Sequence, residues 1–349
     1  MNIQTTIKPI FEAICPSAPI RRVAVTGATG FVGRALVAQL VGMEGSEVLA
    51  LTRQNPTNPV LGAKYIQAGD LTSENQWQSV LAEVYTVVHT AARAHVLNDR
   101  AVDPLAEFRL VNVAGTLRLA EQAAAMGVQR FVFVSSIGVN GVRTAPSKAF
   151  SEADKPNPHN AYALSKWEAE QGLLRVANET GMEVVIIRPP LVYGLGAPGN
   201  FGSLMRAVQH GWPLPLGAVH NQRSLVALDN LVDFIVTCIS HPQAANQTFL
   251  VSDGQDLSTT ELVRGMAHAA GVPVRLLPVP VWALQAGATL LGKGDAVQRL
   301  CGNLQVDISK ARSLLGWVPP VSVDEGLRRA MGNGVHGLPR FARNDDVTK

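Results

Sequence analysis

Apolar runs rich in β-branched residues alternate with helical periodicity between residues 21 and 189. Such runs predict buried strands, and apolar residues at three- and four-residue spacing predict helices packed on them. The alternation of the two predicts a parallel, doubly wound α/β sheet. The first predicted strand begins at residue 23, and the others cover residues 47–51, 65–71, 84–88, 131–134 and 184–187. The predicted helices cover residues 32–41, 108–126 and 162–177.

The first strand runs into three glycines, Gly27, Gly30 and Gly33, which lead directly into the first helix. A strand, a glycine turn and a helix in this order predict a phosphate-binding unit. Glycine lets backbone N–H groups and the helix N-terminus approach a pyrophosphate closely. Thr29, Phe31 and Val32 complete the turn, so we expect all six residues to contact a dinucleotide cofactor.

The pattern changes after residue 190, where elements become short and residues 212–217 are dense in glycine and proline. A helix at residues 230–239 and a strand at 248–251 are expected to rejoin the first sheet. A helix near residues 324–330 belongs to the part that covers the carboxyl ends of the strands, where ligands of open α/β sheets bind.

The predicted fold is therefore a doubly wound parallel Rossmann sheet with a smaller mixed α/β C-terminal substrate domain. The expected units are a tail at 1–20, an NAD(P)-binding domain at 21–189 plus about 224–252, a substrate-binding domain at 190–223 plus 253–335, and a tail at 336–349.

Composition removes several other classes of protein. Net charge is +3, hydrophobic residues make up 47%, and no basic block carries interleaved aromatics, so we expect no nucleic-acid partner. The three cysteines lie far apart, which predicts neither a disulfide framework nor a metal site and favours the cytoplasm. Residues 276–292 are apolar but contain Pro278 and Pro280. They predict a buried helix under the second domain rather than stable membrane insertion, with attachment to a membrane surface as the alternative.

The ends of the second and third strands bear on the choice of cofactor. An acidic residue after the second strand would bind the adenosine ribose hydroxyls and favour NAD, but this chain has Thr52 and Arg53. An arginine there can pair with a 2′-phosphate, so we predict NADP(H), with NAD(H) possible and a merely solvated Arg53 as the alternative. Asp70 and Leu71 are expected at the adenine, although Asp70 could equally cap the next helix.

Small residues follow the fourth strand. Thr90, Ala91 and Ala92 would let the cofactor lie against the backbone. His89 and His95 are expected to make local hydrogen bonds, because the chain has no His-Glu-x-x-His or similar metal spacing. Asn112 interrupts an apolar helical pattern and is expected to brace a neighbouring strand or loop.

Tyr162 and Lys166 are four residues apart and would share one face of a helix. A nearby ammonium and an oxidised nicotinamide would lower the pKa of the phenol from its usual value of about 10. Tyr162 could then donate a proton to a carbonyl oxygen while hydride reaches the carbon. Ser136 follows a strand and could bind the same oxygen, and Lys166 could also hold the nicotinamide ribose. The alternative is an ordinary half-exposed helix pair.

Several motifs together resemble the extended short-chain dehydrogenase/reductase superfamily, in its NAD-dependent epimerase/dehydratase family and nucleotide-sugar branch. They are the turn at residues 26–33, Gly-Asp-Leu at 69–71, His-Thr-Ala-Ala at 89–92, Asn112, Ser-Ser at 135–136, Tyr162 with Lys166, Arg-Pro-Pro-Leu-Val-Tyr-Gly at 188–194, and Leu-Gly-Trp at 315–317. The resemblance implies a UDP-linked sugar substrate and a possible homodimer. It also implies a cofactor contact at Pro189 and substrate contacts at Ser136, Asn200, Phe201 and Arg223.

Two departures from the family pattern guide the choice of reaction. Ile137 and Gly138 stand where dehydratases of the family carry an Asp-Glu pair, which disfavours dehydration. Thr52-Arg53 replaces the ribose-binding carboxylate of the 4-epimerases, which argues against epimerisation with a tightly held NAD. The stretch 188–225 resembles bacterial 4-keto-reductases of surface-polysaccharide synthesis. The leading hypothesis is an NAD(P)H-dependent reductase of UDP-2-acetamido-2,6-dideoxy-hexos-4-ulose. The alternatives are a UDP-hexose or UDP-N-acetylhexosamine 4-epimerase with bound NAD, a non-catalytic NADP sensor, and a membrane-attached reductase of lipids.

Overall fold

The computed structural model describes residues 21–72, 74–94, 103–290 and 294–333. Within these ranges seven parallel strands form one sheet and three form a second. The strands in chain order are β1 (Val23–Thr26), β2 (Val48–Thr52), β3 (Lys64–Gln67), β4 (Thr86–His89), β5 (Arg130–Val134), β6 (Glu183–Arg188), β7 (Leu191–Tyr193), β8 (Arg223–Ala227), β9 (Thr248–Leu250) and β10 (Asp256–Leu257).

The large sheet has the order β3-β2-β1-β4-β5-β6-β9, in which the chain reverses direction across the sheet at β1 and β4. The small sheet pairs β7 with β8 in parallel and β8 with β10 antiparallel. Helices cover both faces of the large sheet, so the predicted doubly wound α/β fold is confirmed. In a sheet of this kind ligands bind beside the carboxyl ends of the strands near the reversal.

The described helices are α1 (Phe31–Val41), α2 (Gln78–Leu81), α3 (Pro104–Arg109), α4 (Thr116–Ala125), α5 (Ala161–Thr180), α6 (Gly199–Gln209), α7 (Leu228–Ser240), α8 (Thr259–Ala270), α9 (Val281–Leu290), α10 (Gly294–Cys301), α11 (Ser309–Leu315) and α12 (Val323–Ala330). The apolar sides of α1 and α7 pack on one face of the large sheet, and those of α4 and α5 pack on the other. None of the helices in the described ranges is long and apolar enough to cross a membrane.

Two predicted elements differ in detail from the structure. The helix expected at 108–126 is α3 and α4 joined by a π-helical turn at Leu110–Gly115. Such turns are frequent at functional sites, and this one contains Asn112. The third strand ends at Gln67, so Asp70 and Leu71 lie in the loop beyond it.

The segment from Leu304 to Trp317 packs into the core that α1 and α7 share with the large sheet. The Trp317 ring meets Phe234 edge-on at 4.7 Å between ring centroids, and its Nε1 donates to the Asp233 carboxylate at 2.8 Å. A separate core lies between α6, α8, α12 and the small sheet. Residues expected in the second domain thus complete the first core, and the domain boundaries stay a prediction.

The expectation of a buried helix within residues 276–292 is wrong. α9 forms there, but Ala288 is its only buried residue, while Trp282 and Leu290 are exposed. In the described part of the chain α9 packs on α10, and no element covers its outer side. The apolar composition of this segment predicted burial. In the described part of the chain, however, no further layer of structure packs over α9 to bury it.

Gly33 is required by a close approach of backbone. A Cβ atom at Gly33 would lie 2.1 Å from the carbonyl oxygen of Gly27, so the glycine turn and α1 fit together only without a side chain. Gly27 itself has φ +66°, a conformation that glycine adopts at little cost.

We therefore expect Gly33→Ala to lower the free energy of unfolding by about 3 kcal/mol, as overpacking against fixed backbone does. Gly287→Ala is the control: it lies in α9, and a Cβ there would meet nothing within 4 Å. It should raise stability by up to about 1 kcal/mol, since alanine favours helix over glycine. Urea unfolding of both variants measures this, and equal effects would contradict the packing argument.

Candidate active site

The turn between β1 and α1 is shaped for an anionic ligand. Gly30 is the N-cap of α1 and provides no side-chain oxygen to the N–H groups of the first turn. These donors, together with the helix dipole, remain available to a phosphate. Thr29 and Gly30 are exposed, and Phe31 and Val32 are half-buried.

The loop after β4 lies against this turn. The Thr90 hydroxyl donates to the Thr26 carbonyl oxygen at 2.7 Å, and a Cβ at Gly27 would come within 2.8 Å of the Ala91 backbone nitrogen. Thr90 and Ala91 are therefore beside the glycine turn, as predicted, and Ala92 follows them in the same loop. The backbone of this loop forms one wall of the phosphate cradle. Any side chain at Gly27 would fill the space between this wall and the glycine turn.

Arg53 and Asp70 follow the carboxyl ends of β2 and β3, at the same edge of the sheet as the glycine turn. The Arg53 side chain is 80% exposed, and its Nη1 lies 3.9 Å from an Asp70 carboxylate oxygen. Thr52 is buried and its hydroxyl donates to the Ile66 carbonyl oxygen at 3.4 Å. Asp70 is not a helix cap, because α2 begins at Gln78 after Trp77. The backbone of Leu71 packs against Gly115, where a Cβ would lie 2.7 Å from the Leu71 oxygen.

A buried histidine ties β1, β4 and α4 together below the turn. His89 Nδ1 is 2.7 Å from the Thr26 hydroxyl, and its Nε2 is 3.0 Å from the Thr116 hydroxyl. Burial and, to a lesser extent, the nearby Lys166 ammonium lower the pKa of His89 to about 3, so the ring is neutral at pH 7. The predicted local hydrogen bonding of His89 is confirmed. His95 lies outside the described residues.

The Phe133 ring on β5 connects His89 to α5. His89 stacks on it with 5.7 Å between ring centroids, and Lys166 Nζ lies 4.0 Å from the Phe133 centroid. Lys166 is 1% exposed, and no oxygen of the described residues accepts a hydrogen bond from its Nζ. Burial lowers the pKa of Lys166 to about 7, against the opposite effect of the Glu170 carboxylate. A buried ammonium that lacks an acceptor among the described residues fits a ligand with hydroxyl oxygens.

Tyr162 lies one helical turn before Lys166 on α5, and its ring meets Phe108 edge-on at 6.1 Å. Burial raises the pKa of Tyr162 to about 12. The expected lowering depends on the Lys166 ammonium together with an oxidised nicotinamide, so it stays a prediction for the enzyme with bound cofactor. The phenol is protonated at neutral pH, which is the state that a proton donor needs.

The short turn that follows Ser136 lies against the first turn of α5. Ser136 caps this 3-10 turn (Ile137–Val139), and its hydroxyl accepts from the Gly138 N–H at 3.1 Å. A Cβ at Gly138 would lie 3.3 Å from the Cβ of Ala163, the residue after Tyr162. The Pro189 carbonyl oxygen accepts from the Ile137 N–H at 2.9 Å, so Pro189 lies beside the same turn.

Two buried networks fix these elements. Glu170 on α5 accepts from Ser135 and from Arg188, and Arg188 also donates to the Asn140 side chain at 3.0 Å. Asn112 accepts from the Arg93 N–H at 2.8 Å and donates to the Ser165 hydroxyl at 3.0 Å. Asn112 thus braces the loop after β4 against α5, as predicted.

The expected substrate residues lie in the second unit. Asn200 is exposed on the first turn of α6, whereas the Phe201 ring is buried against Tyr193, 5.7 Å away, so only its backbone could meet a ligand. Arg223 begins β8 and donates to the Gly302 carbonyl oxygen at 3.0 Å, and burial lowers its pKa.

The sequence missed one basic cavity. A cavity of about 510 Å³ lies beside the N-terminus of α5, and Arg143, His159, Gln298 and Arg299 are among the residues that line it. Arg299 is on α10, three residues before the carbonyl that holds Arg223. These side chains come from a loop and from a distant helix that have no motif, so only the fold could bring them together.

Comparisons with known proteins agree with this geometry. The model of the NAD dependent epimerase/dehydratase family matches residues 23–252. A UDP-glucose 4-epimerase of Vibrio cholerae is 47% identical over 310 residues, 88% of this chain and 94% of that protein. An N-acetyl-α-D-glucosaminyl-diphospho-ditrans,octacis-undecaprenol 4-epimerase of Escherichia coli O157:H7 is 28% identical over 93% of this chain and 98% of that one. The structure of MoeE5 with UDP-glucuronic acid and NAD has a TM-score of 0.72 and 26% identity, and covers 89% and 98% of the two chains.

The chain belongs to the NAD-dependent epimerase/dehydratase family. It is accordingly an NAD(P)-dependent enzyme of the extended short-chain dehydrogenase/reductase type, which confirms the resemblance seen in the sequence. The matched range includes the glycine turn, Ser136, Tyr162 and Lys166, but the role of each residue stays a prediction. Within the described residues no cluster of three or more His, Cys, Asp or Glu side chains could hold a metal ion.

Because His89 is buried and neutral, we predict that acid lowers the free energy of unfolding of this protein. The unfolded state takes up a proton below its usual pKa of 6.5, whereas the folded state does so only near pH 3, so stability falls as pH falls below 6.5. Wild type should lose about 1.5–2 kcal/mol more than His89→Asn between pH 6.5 and 5 in urea unfolding. Parallel losses in the two proteins would contradict a neutral buried histidine.

Proposed function

We propose that this enzyme is an NAD(P)H-dependent reductase of a UDP-linked 4-keto sugar, UDP-2-acetamido-2,6-dideoxy-hexos-4-ulose, in bacterial surface-polysaccharide synthesis. The observation that carries the proposal is the pairing on α5 of a protonated Tyr162 with Lys166, which is buried over the Phe133 ring and has no acceptor among the described residues. That pairing supplies a proton donor and a cofactor ligand on one helix face.

Tyr162 is the proton donor in this scheme. The cofactor supplies hydride to C4 of the sugar when bound. As that carbon becomes tetrahedral, the Tyr162 hydroxyl gives its proton to the former keto oxygen, and Ser136 donates a hydrogen bond to the same oxygen. Lys166 binds the ribose hydroxyls, and its charge stabilises the phenolate that remains.

NADPH is the proposed reductant. Arg53 is exposed at the end of β2, and neither Thr52 nor Arg53 supplies the carboxylate that would repel a 2′-phosphate. Asp70 is 3.9 Å away and holds the guanidinium weakly, so the arginine is available to an anion. NADH remains a possible substitute.

The basic cavity is the proposed site of the UDP diphosphate. Arg143 and Arg299 line it and can form charge-assisted hydrogen bonds with phosphate oxygens. Among the predicted substrate residues, Arg223 lies nearest to α10, and Asn200 lies on α6. We expect the enzyme in the cytoplasm, where nucleotide sugars are made, and we expect a homodimer.

A UDP-hexose or UDP-N-acetylhexosamine 4-epimerase with bound NAD is the second candidate. The Vibrio cholerae relative, a UDP-glucose 4-epimerase at 47% identity, favours it. The same Tyr162, Lys166 and Ser136 would serve a reversible oxidation at C4, so the two candidates differ in whether the cofactor is consumed.

Purified enzyme should oxidise one NADPH for each UDP-4-keto sugar, followed at 340 nm, and should carry no tightly bound NAD. Tyr162→Phe should lower kcat about 10²- to 10⁴-fold, the usual contribution of a positioned acid. Tyr85→Phe, at the opposite ends of the strands, is the matched control and should keep full activity.

Other results would decide against the reductase. Bound NAD in the purified protein and inversion at C4 without net NADPH oxidation would establish the epimerase. NADPH binding with no turnover, and no effect of Tyr162→Phe on the cellular phenotype, would favour the sensor.

Arg53→Ala should raise the KM for NADPH about 10-fold and change the KM for NADH less than twofold, since it removes one charge-assisted contact with the 2′-phosphate. Lys64→Ala is the control, because Lys64 is an exposed cation at the start of β3, away from the carboxyl ends of the strands. Equal changes for both cofactors in Arg53→Ala would show that Arg53 is an ordinary solvated side chain.

A further inference from the structure

An exposed apolar surface lies far from the glycine cradle in the chain. It consists of Trp212, Val274, Leu277, Trp282 and Leu290, and we call it the α9 surface. Leu290 is 88%, Trp282 72% and Trp212 61% exposed. Large apolar side chains scattered singly are normal on proteins, but two tryptophans and three aliphatic residues in adjoining segments are not.

Backbone pairing holds these segments together. The Leu214 N–H donates to the Arg275 carbonyl oxygen, and the Leu277 N–H donates to the Leu214 carbonyl oxygen, both at 2.8 Å. This parallel pairing aligns Trp212 with Val274, and Leu277 follows three residues later, just ahead of α9. On α9 itself, Trp282 and Leu290 are separated by eight residues, so they lie on one side of the helix.

The length of α9 limits what it can do. Its ten residues span about 15 Å, half the thickness of a bilayer core, so it cannot cross a membrane. It contains no charged residue, so electrostatic attraction to lipid must come from the neighbouring segments, while its tryptophan is a side chain suited to a lipid interface.

Cationic residues predominate in the segments that carry the α9 surface, and the acidic residues next to these segments include Glu261 at the start of α8 and Asp295 on α10. Residues 199–228 and 262–290 contain no Asp or Glu. These two segments carry α6, most of α8 and α9, and they present the exposed side chains of Arg206, Arg264 and Arg275. The surface therefore combines an apolar centre with an excess of exposed arginines, which complements an anionic lipid surface.

We propose that the α9 surface docks on the anionic phospholipid surface of a membrane, with Trp282 and Leu290 in the interface and the three arginines at the head groups. The docking is peripheral and reversible, since one short helix buries too little for permanent insertion. It is independent of the reaction and would hold the enzyme beside a membrane whichever sugar it reduces or epimerises.

Vesicle sedimentation of the full chain tests the proposal. The protein should bind vesicles of equal parts phosphatidylcholine and phosphatidylglycerol, bind pure phosphatidylcholine at least about 10-fold less, and be released by about 0.5 M salt. The double variant Trp282→Ser/Leu290→Ser should lower the partition coefficient at least about 10-fold. Leu61→Ser is the control, because Leu61 is equally exposed at 88% in the loop before β3.

Arg275→Glu should weaken binding to the anionic vesicles about 10-fold, while Lys64→Glu, on another element, should have less than a twofold effect. Equal thermal melting of wild type and variants establishes that the fold is intact. Three results would overturn the proposal: no binding to anionic vesicles, binding that the double variant leaves unchanged, or a dimer in sedimentation velocity that the double variant abolishes. The last result would make the α9 surface a subunit interface.

Discussion

The site depends on one unfavourable burial. Lys166 is almost completely removed from water, sits over the Phe133 ring, and has no oxygen acceptor among the described residues. Taking an ammonium out of water is costly unless hydrogen bonds replace the lost hydration, and here the pKa of Lys166 has fallen to about 7. A ligand that brings hydroxyl oxygens to Nζ relieves that cost, so binding and the protonation of Lys166 are coupled.

The surrounding structure holds Lys166 in this state. Glu170 on the same helix is fully engaged by Ser135 and Arg188, so it acts on Lys166 through its charge without forming an ion pair with it. His89 stacks on the same Phe133 ring and stays neutral because burial, followed by the Lys166 charge, lowers its pKa to about 3. A charged histidine there would push the pKa of Lys166 lower still.

Much of this arrangement could be read from the sequence because its determinants are local. The glycine turn at Gly27–Gly33 and the four-residue spacing of Tyr162 and Lys166 fix backbone geometry within one or two elements, and the parallel sheet brings their ends to one edge. Arg143 and Arg299 escaped prediction because only tertiary packing joins their segments. The rise in the pKa of Tyr162 could not be read from the sequence, because burial causes it and no short pattern reports burial. The exposure of α9 was missed for the same reason.

The most direct test of the coupling is the proton balance of cofactor binding. Titration calorimetry with NADPH at pH 8, in buffers of different ionisation enthalpy, measures protons taken up on binding. Hydrogen bonds from Lys166 to the ribose favour the ammonium, so wild type should take up close to one proton, and Lys166→Met should take up none. An uptake near zero in wild type, or an equal uptake in both proteins, would contradict the account.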